Sequence, residues 1–343
     1  MRSILAFLLV LTAFAAPARA GDASFADQWG VYRDRFVTGD GRVIDTGNKS
    51  VSHTEGQGWA MLFAEVADDR GAFDNIWGWT AAHLAQPGTA LFAWRWDPAD
   101  AKNPVADTNN ASDGDTLIAW ALIRAAERWH EPKYQAAARR IAGDIRNRML
   151  AAVARRLVLL PGRDGFIRED GSILVNPSYY VYPAFTDLER TAPGYQWRRL
   201  RIDGLALLDE AKFGPWHLPC DWVAAEPDGS VVPAPGLPPQ FGFAAIRVPL
   251  YLIWSHHGTP ARLAPYLDFW SSFGDKPIAA WTDVSDGKVA PFAAPSGMQA
   301  VIQLVREWRH PDPTPLPTIG DHDDYYSASL ILLSRIARQE AGG

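Results

Sequence analysis

Two short acidic segments of the sequence each stand directly before a long apolar stretch with helical spacing. In the first segment, Glu55 shares a predicted helical stripe with three apolar residues at offsets of four, seven and eleven: Trp59, Leu62 and Val66. Ser52 or Thr54 can cap this helix. Burial beside an apolar stripe favours the protonated carboxyl that a general acid needs, whereas the positive helix N-terminus favours the ionised form. Glu55 is thus a candidate acid, with an ordinary first-turn glutamate as the alternative.

The second segment runs from Asn109 to Asp115 and contains two asparagines and two aspartates. Ser112 or Asp113 can cap the apolar helix that follows. Since one aspartate suffices for a cap, the second aspartate and the asparagine pair suggest a polar pocket that holds hydroxyl groups and an ionised carboxylate. An N-cap rich in aspartate and asparagine is the alternative interpretation.

The elements that must position these residues are predominantly helical. Apolar residues recur at helical spacing through about a dozen windows or slightly fewer, separated by Gly, Pro, Asn or Asp. Strand-like alternation is limited to Phe92–Trp96 and Leu157–Leu160. The Pro-rich segment Pro227–Pro239 predicts a surface loop within one domain. Because no solenoid-type sequence period is visible, we expect an all-α fold in which helical hairpins close into an α/α barrel.

The N-terminus predicts export. Arg2, the apolar run Ile4–Ala16 and the small residues before Gly21 are typical of a cleaved signal peptide covering residues 1–20, since the run is shorter than the ~20 residues of a membrane span. Residues 21–343 then form one predicted domain. Removal of the leader takes away two arginines and changes the net charge from −6 to −8.

Composition excludes several classes of protein. The acidic balance does not favour nucleic-acid binding, which depends on basic groups that meet phosphates. Cys220 is the only cysteine, so no intramolecular disulfide and no cysteine-ligated zinc site can form. Aromatic residues make up 12% of the chain, with 15 Trp, which suggests sugar stacking in addition to core packing. We expect no metal and no cofactor.

Five aromatic residues are candidates for stacking on sugar rings, because flat apolar sugar faces pack on aromatic planes. Each of them can instead belong to the core. Arg247 can orient a carboxylate in the site or form a buried structural ion pair. The five aromatic candidates are Trp94, Trp96, Tyr179, Tyr180 and Trp281.

Several segments resemble glycoside hydrolase family 8. The run Ala111–Asp115, continuing through Trp129, fits the signature of that family, and Glu55–Leu62 matches the region that holds its proton donor. Asn176–Tyr180 and Phe241–Pro249 are also similar to family segments. The resemblance covers nearly all of the mature chain and is strongest toward the cellulases linked to bacterial cellulose synthesis.

The resemblance implies an (α/α)6 barrel with a groove that binds β-1,4-glucan and cuts it internally with inversion. Glu55 would be the acid, and Asp113 the central carboxylate, described in the family as a nucleophile or as a group that holds the distorted sugar. We favour the second role, since an inverting reaction forms no covalent intermediate. Asp115 would lie in the same substrate-binding region.

Position 244 departs from the pattern of the family. Many family 8 cellulases have an aspartate three residues before the arginine that corresponds to Arg247, and it acts as the base, whereas this chain has Ala244. A methyl group cannot accept a proton. Either turnover is impaired or another carboxylate activates the water, for which the sequence offers Asp113, Asp115, Asp203 and Asp283.

The sequence therefore predicts an endo-β-1,4-glucanase that is exported to the periplasm or beyond and trims cellulose chains during synthesis, with a cellulose synthase complex as a candidate partner. One alternative is a non-catalytic glucan-binding relative without the usual base. Another is a hydrolase of chitosan, xylan or mixed-linkage glucan. No membrane-spanning segment is expected in the mature chain.

Overall fold

The computed structural model describes residues 24–309 and 314–342, and helices dominate it. The predicted signal peptide lies outside the described residues. Within them the chain forms eleven α-helices: α1 (Phe25–Phe36), α2 (Thr54–Val66), α3 (Arg70–His83), α4 (Ser112–Trp129), α5 (Pro132–Arg148), α6 (Tyr182–Thr191), α7 (Tyr195–Glu210), α8 (Arg247–Trp254), α9 (Pro260–Ser271), α10 (Ser296–Arg309) and α11 (Tyr325–Ala341).

Five of these helices form a closed inner ring. Helix α2 contacts α4, α4 contacts α6, α6 contacts α8, and α8 contacts α11. Helix α11 contacts α2 and closes the ring. Helices α2, α4, α8 and α11 are buried almost all round, as their apolar sequences require. Helix α3 packs outside α2, α5 outside α4, and α7 outside α6, which gives an inner and an outer layer around one hydrophobic core.

The strands are short and lie in loops at the ends of the helices. All pairs are antiparallel, and β1 with β2 brings the start of α2 beside a tryptophan-rich loop through Ser52 opposite Trp96. Strands β5, β6 and β7 form the largest sheet. The described strands are β1 (Ser52–His53), β2 (Arg95–Trp96), β3 (Leu150–Val153), β4 (Arg156–Leu159), β5 (Ile173–Val175), β6 (Val223–Ala225), β7 (Val231–Pro233), β8 (Gln240–Phe241) and β9 (Thr282–Asp283).

Helices α2 and α4 approach each other closely because glycines line their contact. A Cβ at Gly58 would lie 2.6 Å from Leu117 Cβ, and a Cβ at Gly114 would lie 2.2 Å from Thr54 Oγ1 and 2.9 Å from the backbone nitrogen of Glu55. Neither position has room for a side chain. The glycines therefore set the separation at which the first turns of both helices meet.

Most of the predicted helices are confirmed, but the predicted caps are wrong. Helix α2 follows His53 and α4 follows Ala111, and neither of these residues supplies a side-chain cap. The hydroxyls of Thr54 and Ser112 are buried without a hydrogen-bond partner. The contact between α2 and α4 encloses these first turns, so neither hydroxyl serves as a cap.

Two helices were missed in the sequence. Helix α6 is only ten residues long and has a proline in its first turn, and in α1 three consecutive charged residues separate two of the buried ones. The Pro-rich segment contains β7 and otherwise lacks regular structure, in agreement with its prediction as a loop.

We predict that Gly58→Ala destabilises the protein by about 1–3 kcal/mol, because the new methyl group overpacks the contact between α2 and α4. Gly78→Ala is the matched control, since Gly78 lies in α3 with nothing within 4 Å of its Cβ position. That control should be neutral or stabilising by up to ~1 kcal/mol. Urea unfolding measures both changes, and equal stabilities for the two variants would contradict close packing at Gly58.

Candidate active site

Three helix N-termini bring Glu55, Asp113 and Arg247 together. Glu55 lies in the first turn of α2, Asp113 in the first turn of α4, and Arg247 is the first residue of α8. The Arg247 guanidinium forms an ion pair with Glu55 through Nη1, and its Nη2 lies 3.9 Å from Asp113 Oδ2. Nη2 also donates a hydrogen bond of 2.8 Å to Ser178 Oγ. These predicted residues therefore form one cluster.

Arg247 is almost fully enclosed, with 5% of its side chain exposed. Its guanidinium carbon lies 5.4 Å from the centre of the Trp59 ring. Burial alone lowers the pKa of an arginine, but the surrounding groups, with Glu55 foremost, raise the pKa of Arg247 above its usual value. The site thus contains a permanent buried cation with carboxylates around it.

Asp113 and Glu55 lie within hydrogen-bonding reach of each other, and they differ in exposure. The side chain of Glu55 is 20% exposed and that of Asp113 is 4% exposed. Burial, followed by the charge of Glu55, raises the pKa of Asp113 well above its usual range. Asp113 therefore keeps its proton to a higher pH than an exposed aspartate does. The more exposed member, Glu55, is the one that a substrate oxygen can reach.

A short 3₁₀ turn at Pro177–Tyr179 supports the cluster from the side. Asn176 Oδ1 accepts hydrogen bonds from the Ser178 backbone nitrogen at 3.0 Å and from Ser178 Oγ at 2.7 Å. This fixes the hydroxyl that contacts Arg247. Tyr179 is half-buried beside the acids, and burial together with the charges of Asp113 and Glu55 raises its pKa.

Trp94 and Trp96 lie on the loop that pairs with the start of α2. Trp94 Nε1 donates to Asp107 Oδ2 at 2.8 Å, and its ring stacks on His53 with the ring centres 5.7 Å apart. Trp96 packs under the guanidinium of Arg42 at 4.9 Å. Both tryptophans are half-buried, so each keeps surface that a sugar could cover. Their predicted stacking role stays a prediction.

Two predicted substrate-binding residues lie in the core. Tyr180 is 1% exposed, and its hydroxyl accepts a hydrogen bond from the Leu159 backbone nitrogen at 3.0 Å. Asp115 is fully buried, and its two oxygens accept from the Phe92 backbone nitrogen at 3.0 Å and from Asn110 Nδ2 at 2.8 Å. Asp115 therefore anchors the loop that carries Trp94, and its role in substrate binding stays a prediction.

The remaining base candidates from the sequence have local partners. Asp203 Oδ2 accepts hydrogen bonds from the Leu157 backbone nitrogen at 2.7 Å and from Arg199 Nε at 2.5 Å, between α7 and β4. Asp283 Oδ1 accepts from the backbone nitrogen and hydroxyl of Ser285 within one turn. Both carboxylates therefore have structural roles in their own surroundings.

Sequence reasoning missed several residues around the cluster. Phe243 is 43% exposed, and its carbonyl accepts a hydrogen bond from the hydroxyl of Tyr326, whose ring packs on Trp59. Trp281, by contrast, was predicted as a stacking residue; it is half-buried, and its Cβ lies 3.4 Å from the Cβ position of Gly242. The available signal for Phe243 was its place in the Phe241–Pro249 segment, which is similar to family segments.

Concavity alone does not identify this site. A surface cavity of about 650 Å³ lies between α3 and α5, lined by Trp77, Arg140 and Asp144 among others, and it includes none of the three clustered charges. Within the described ranges, no three His, Cys, Asp or Glu side chains gather as a metal site requires. No helix among these residues has the length and hydrophobicity to cross a membrane. The cluster of Glu55, Asp113 and Arg247, and not the cavity between α3 and α5, therefore defines the candidate site.

The cluster of Glu55, Asp113 and Arg247 places a carboxyl that can act as an acid among half-buried aromatic rings on which a sugar could stack. The sequence model described as glycosyl hydrolases family 8 matches residues 1–340. The chain therefore belongs to glycosyl hydrolase family 8, which confirms the resemblance seen in the sequence.

Relatives of known sequence agree with this assignment. The chain is 41% identical over 329 residues to a probable endoglucanase of Novacetimonas hansenii, covering 96% of this chain and 94% of that protein. It is 44% identical over 276 residues to an endoglucanase of Cellulomonas uda, covering 80% of this chain and 76% of that protein.

Solved structures show the same architecture. A family 8 endoglucanase from Klebsiella pneumoniae superimposes with a TM-score of 0.87 at 44% identity, covering 92% of this chain and 99% of that one. An endo-β-1,4-glucanase from Acetobacter xylinum gives a TM-score of 0.88 at 41% identity, covering 93% and 99%. The predicted (α/α)6 barrel is thereby confirmed.

We predict that buried Asp115 makes the protein less stable as the pH rises from 4 to 7. Burial raises its pKa from 3.8 to about 7, so the folded protein holds this proton more tightly than the unfolded chain does. That contribution is complete below pH 3.8 and is lost as the pH rises through about 7, with a loss of at most about 4 kcal/mol. Asp115→Asn should lack this loss.

Urea unfolding of the parent and of Asp115→Asn at pH 4, 5.5, 7 and 8 measures the effect. The difference between the two pH dependences isolates residue 115 from the other acids. Parallel curves for the two proteins would show that Asp115 does not bind a proton on folding.

Proposed function

We propose that the protein is an endo-β-1,4-glucanase that hydrolyses internal bonds of cellulose chains with inversion. The observation that carries the proposal is the cluster of Glu55, Asp113 and Arg247, which lies in a chain at least 40% identical to endoglucanases over most of its length. The half-buried aromatic residues around the cluster supply surfaces on which glucose rings can stack.

In this proposal Glu55 is the general acid. Its carboxyl gives a proton to the oxygen of the leaving glucan as the glycosidic bond breaks. Arg247 offsets the negative charge that remains on the acid pair. Asp113, being less exposed, holds the distorted sugar at the cleavage point and forms no covalent bond with it. The reaction of these residues uses no cofactor.

We also propose that the protein works after export, in the periplasm or outside the cell, on the glucan that a cellulose synthase produces. Two features support this: the leader-like residues 1–20, and the similarity to an endo-β-1,4-glucanase from Acetobacter xylinum. Association with a synthase complex is part of this proposal. The same fold in a different member could also accept chitosan, xylan or mixed-linkage glucan, so the assay must include these polymers.

We predict that Glu55→Gln lowers the release of reducing ends from carboxymethylcellulose by at least about 10²-fold, because the amide cannot donate a proton to the leaving oxygen. Glu169→Gln is the control, since Glu169 lies exposed in a loop and should keep full activity. Viscosity measured alongside distinguishes internal cleavage from cleavage at chain ends. A parent protein that binds but does not cut any of these glucans would instead be a glucan-binding relative.

We predict that Asp113→Asn shifts the alkaline limb of the pH profile of kcat/KM to lower pH. The introduced amide cannot bind a proton, so the site loses the proton that burial keeps on Asp113 to higher pH. Hydrolysis of a soluble cello-oligosaccharide between pH 4 and 9 measures the limb. A limb that stays in place, or moves to higher pH, would show that a proton on Asp113 does not support the reaction.

A further inference from the structure

A third carboxylate, Asp221, lies at the turn that leads into α8. Its Oδ1 accepts hydrogen bonds from the backbone nitrogens of Gly242 at 3.0 Å and of Ala245 at 2.7 Å. Its own backbone nitrogen donates to the Gln240 carbonyl at 2.6 Å. Asp221 therefore binds the turn that leads into Arg247, whereas Glu55 and Asp113 stand on α2 and α4.

The second oxygen of Asp221 has capacity to bind a water molecule. Both hydrogen bonds from Gly242 and Ala245 end on Oδ1, and Oδ2 lies 3.0 Å from the Cβ position of Gly242. The residue is partly exposed. Burial raises the pKa of Asp221, while the turn nitrogens and Arg247 lower it, and its charge contributes to the raised pKa of Tyr326. Asp221 is thus electrostatically part of the site.

Hydrolysis needs a carboxylate apart from the acid pair. The two groups lie ~5–5.5 Å apart in retaining glycosidases and ~6.5–9.5 Å apart in inverting ones, with the sugar between them. Glu55 and Asp113 lie within hydrogen-bonding reach, which leaves no room for a sugar between them. Asp115 and Asp203 are buried and hydrogen-bonded to the backbone elsewhere.

We infer that Asp221 is the general base that activates the hydrolytic water in this enzyme. The inference rests on the proposed function. The water oxygen forms a bond to the anomeric carbon, and its proton moves to Asp221 Oδ2. The bond from that carbon to the leaving oxygen breaks, and the leaving oxygen takes the proton of Glu55. One water is consumed, and the proton that Asp221 gains equals the one that Glu55 loses.

Ala244 is compatible with this role. It lies in the same turn, half-buried, between the two backbone nitrogens that hold Asp221. Its methyl group occupies little space and has no charge or hydrogen-bonding group of its own. A water bound at Asp221 Oδ2 is therefore not displaced by a polar side chain from position 244.

The test is Asp221→Asn, which removes the base but keeps an Oδ1 that can accept from Gly242 and Ala245. We expect kcat to fall about 10²- to 10⁴-fold, with binding of cello-oligosaccharide and thermal unfolding unchanged. Sodium azide should restore turnover and yield a glycosyl azide, since azide attacks without losing a proton. Asp228→Asn is the matched control, because Asp228 also accepts two hydrogen bonds in an exposed turn, from Ser230.

A second variant separates loss of the base from loss of structure. Asp221→Asn combined with Ala244→Asp places a new carboxylate in the same turn and should recover part of the activity.

Full activity of Asp221→Asn overturns the inference, as does an inactive variant that neither azide nor Ala244→Asp restores. If the parent cuts no glucan, the proposed function fails. If the parent cuts and only Glu55→Gln is inactive, the inference about Asp221 alone fails.

Discussion

The buried charge of Arg247 is the constraint on which the centre of this molecule depends. A guanidinium that is 5% exposed is costly unless its charge is paired and its hydrogen bonds are made. The partners come from α2, α4 and the 3₁₀ turn before α6, so the pairing is complete only when these parts of the inner ring are assembled. Correct folding and the assembly of the acid pair are therefore coupled.

The geometry of the two acids follows from a backbone contact. Glycine at positions 58 and 114 lets α2 and α4 approach until their first turns meet, and each of those turns carries a carboxyl. The partial positive charge at a helix N-terminus favours a carboxylate there, while burial and the second acid favour a proton. The closeness of the helices thus buries Asp113 beside Glu55, and both effects raise the pKa of Asp113.

The sequence was informative where periodicity is strong and where a motif is local. The helical stripes of α2 and α4, the acids in their first turns and the arginine of α8 were all predictable. Partners distant in the chain were not, since Arg247 and Glu55 are 192 residues apart and no local pattern links them. The sequence also did not distinguish neighbouring positions. Tyr179 lies beside the acids, whereas Tyr180 points into the core. One residue along a turn changes the direction of the side chain, and the sequence pattern does not show which residue faces the site. Asp221 has no motif around it, and only the turn that it binds identifies it.

The ion pair of Arg247 and Glu55 also bears on how salt affects the enzyme. The two charges offset each other at the centre of the cluster, although the whole chain carries a net charge of −6. An uncharged polymer then meets little long-range force, so added salt has few interactions to screen. An anionic derivative of the same polymer is repelled by the acidic surface, and salt relieves that repulsion. Ionic-strength effects measured on carboxymethylated glucan therefore report on the outside of the protein, whereas those measured on neutral glucan report on the site.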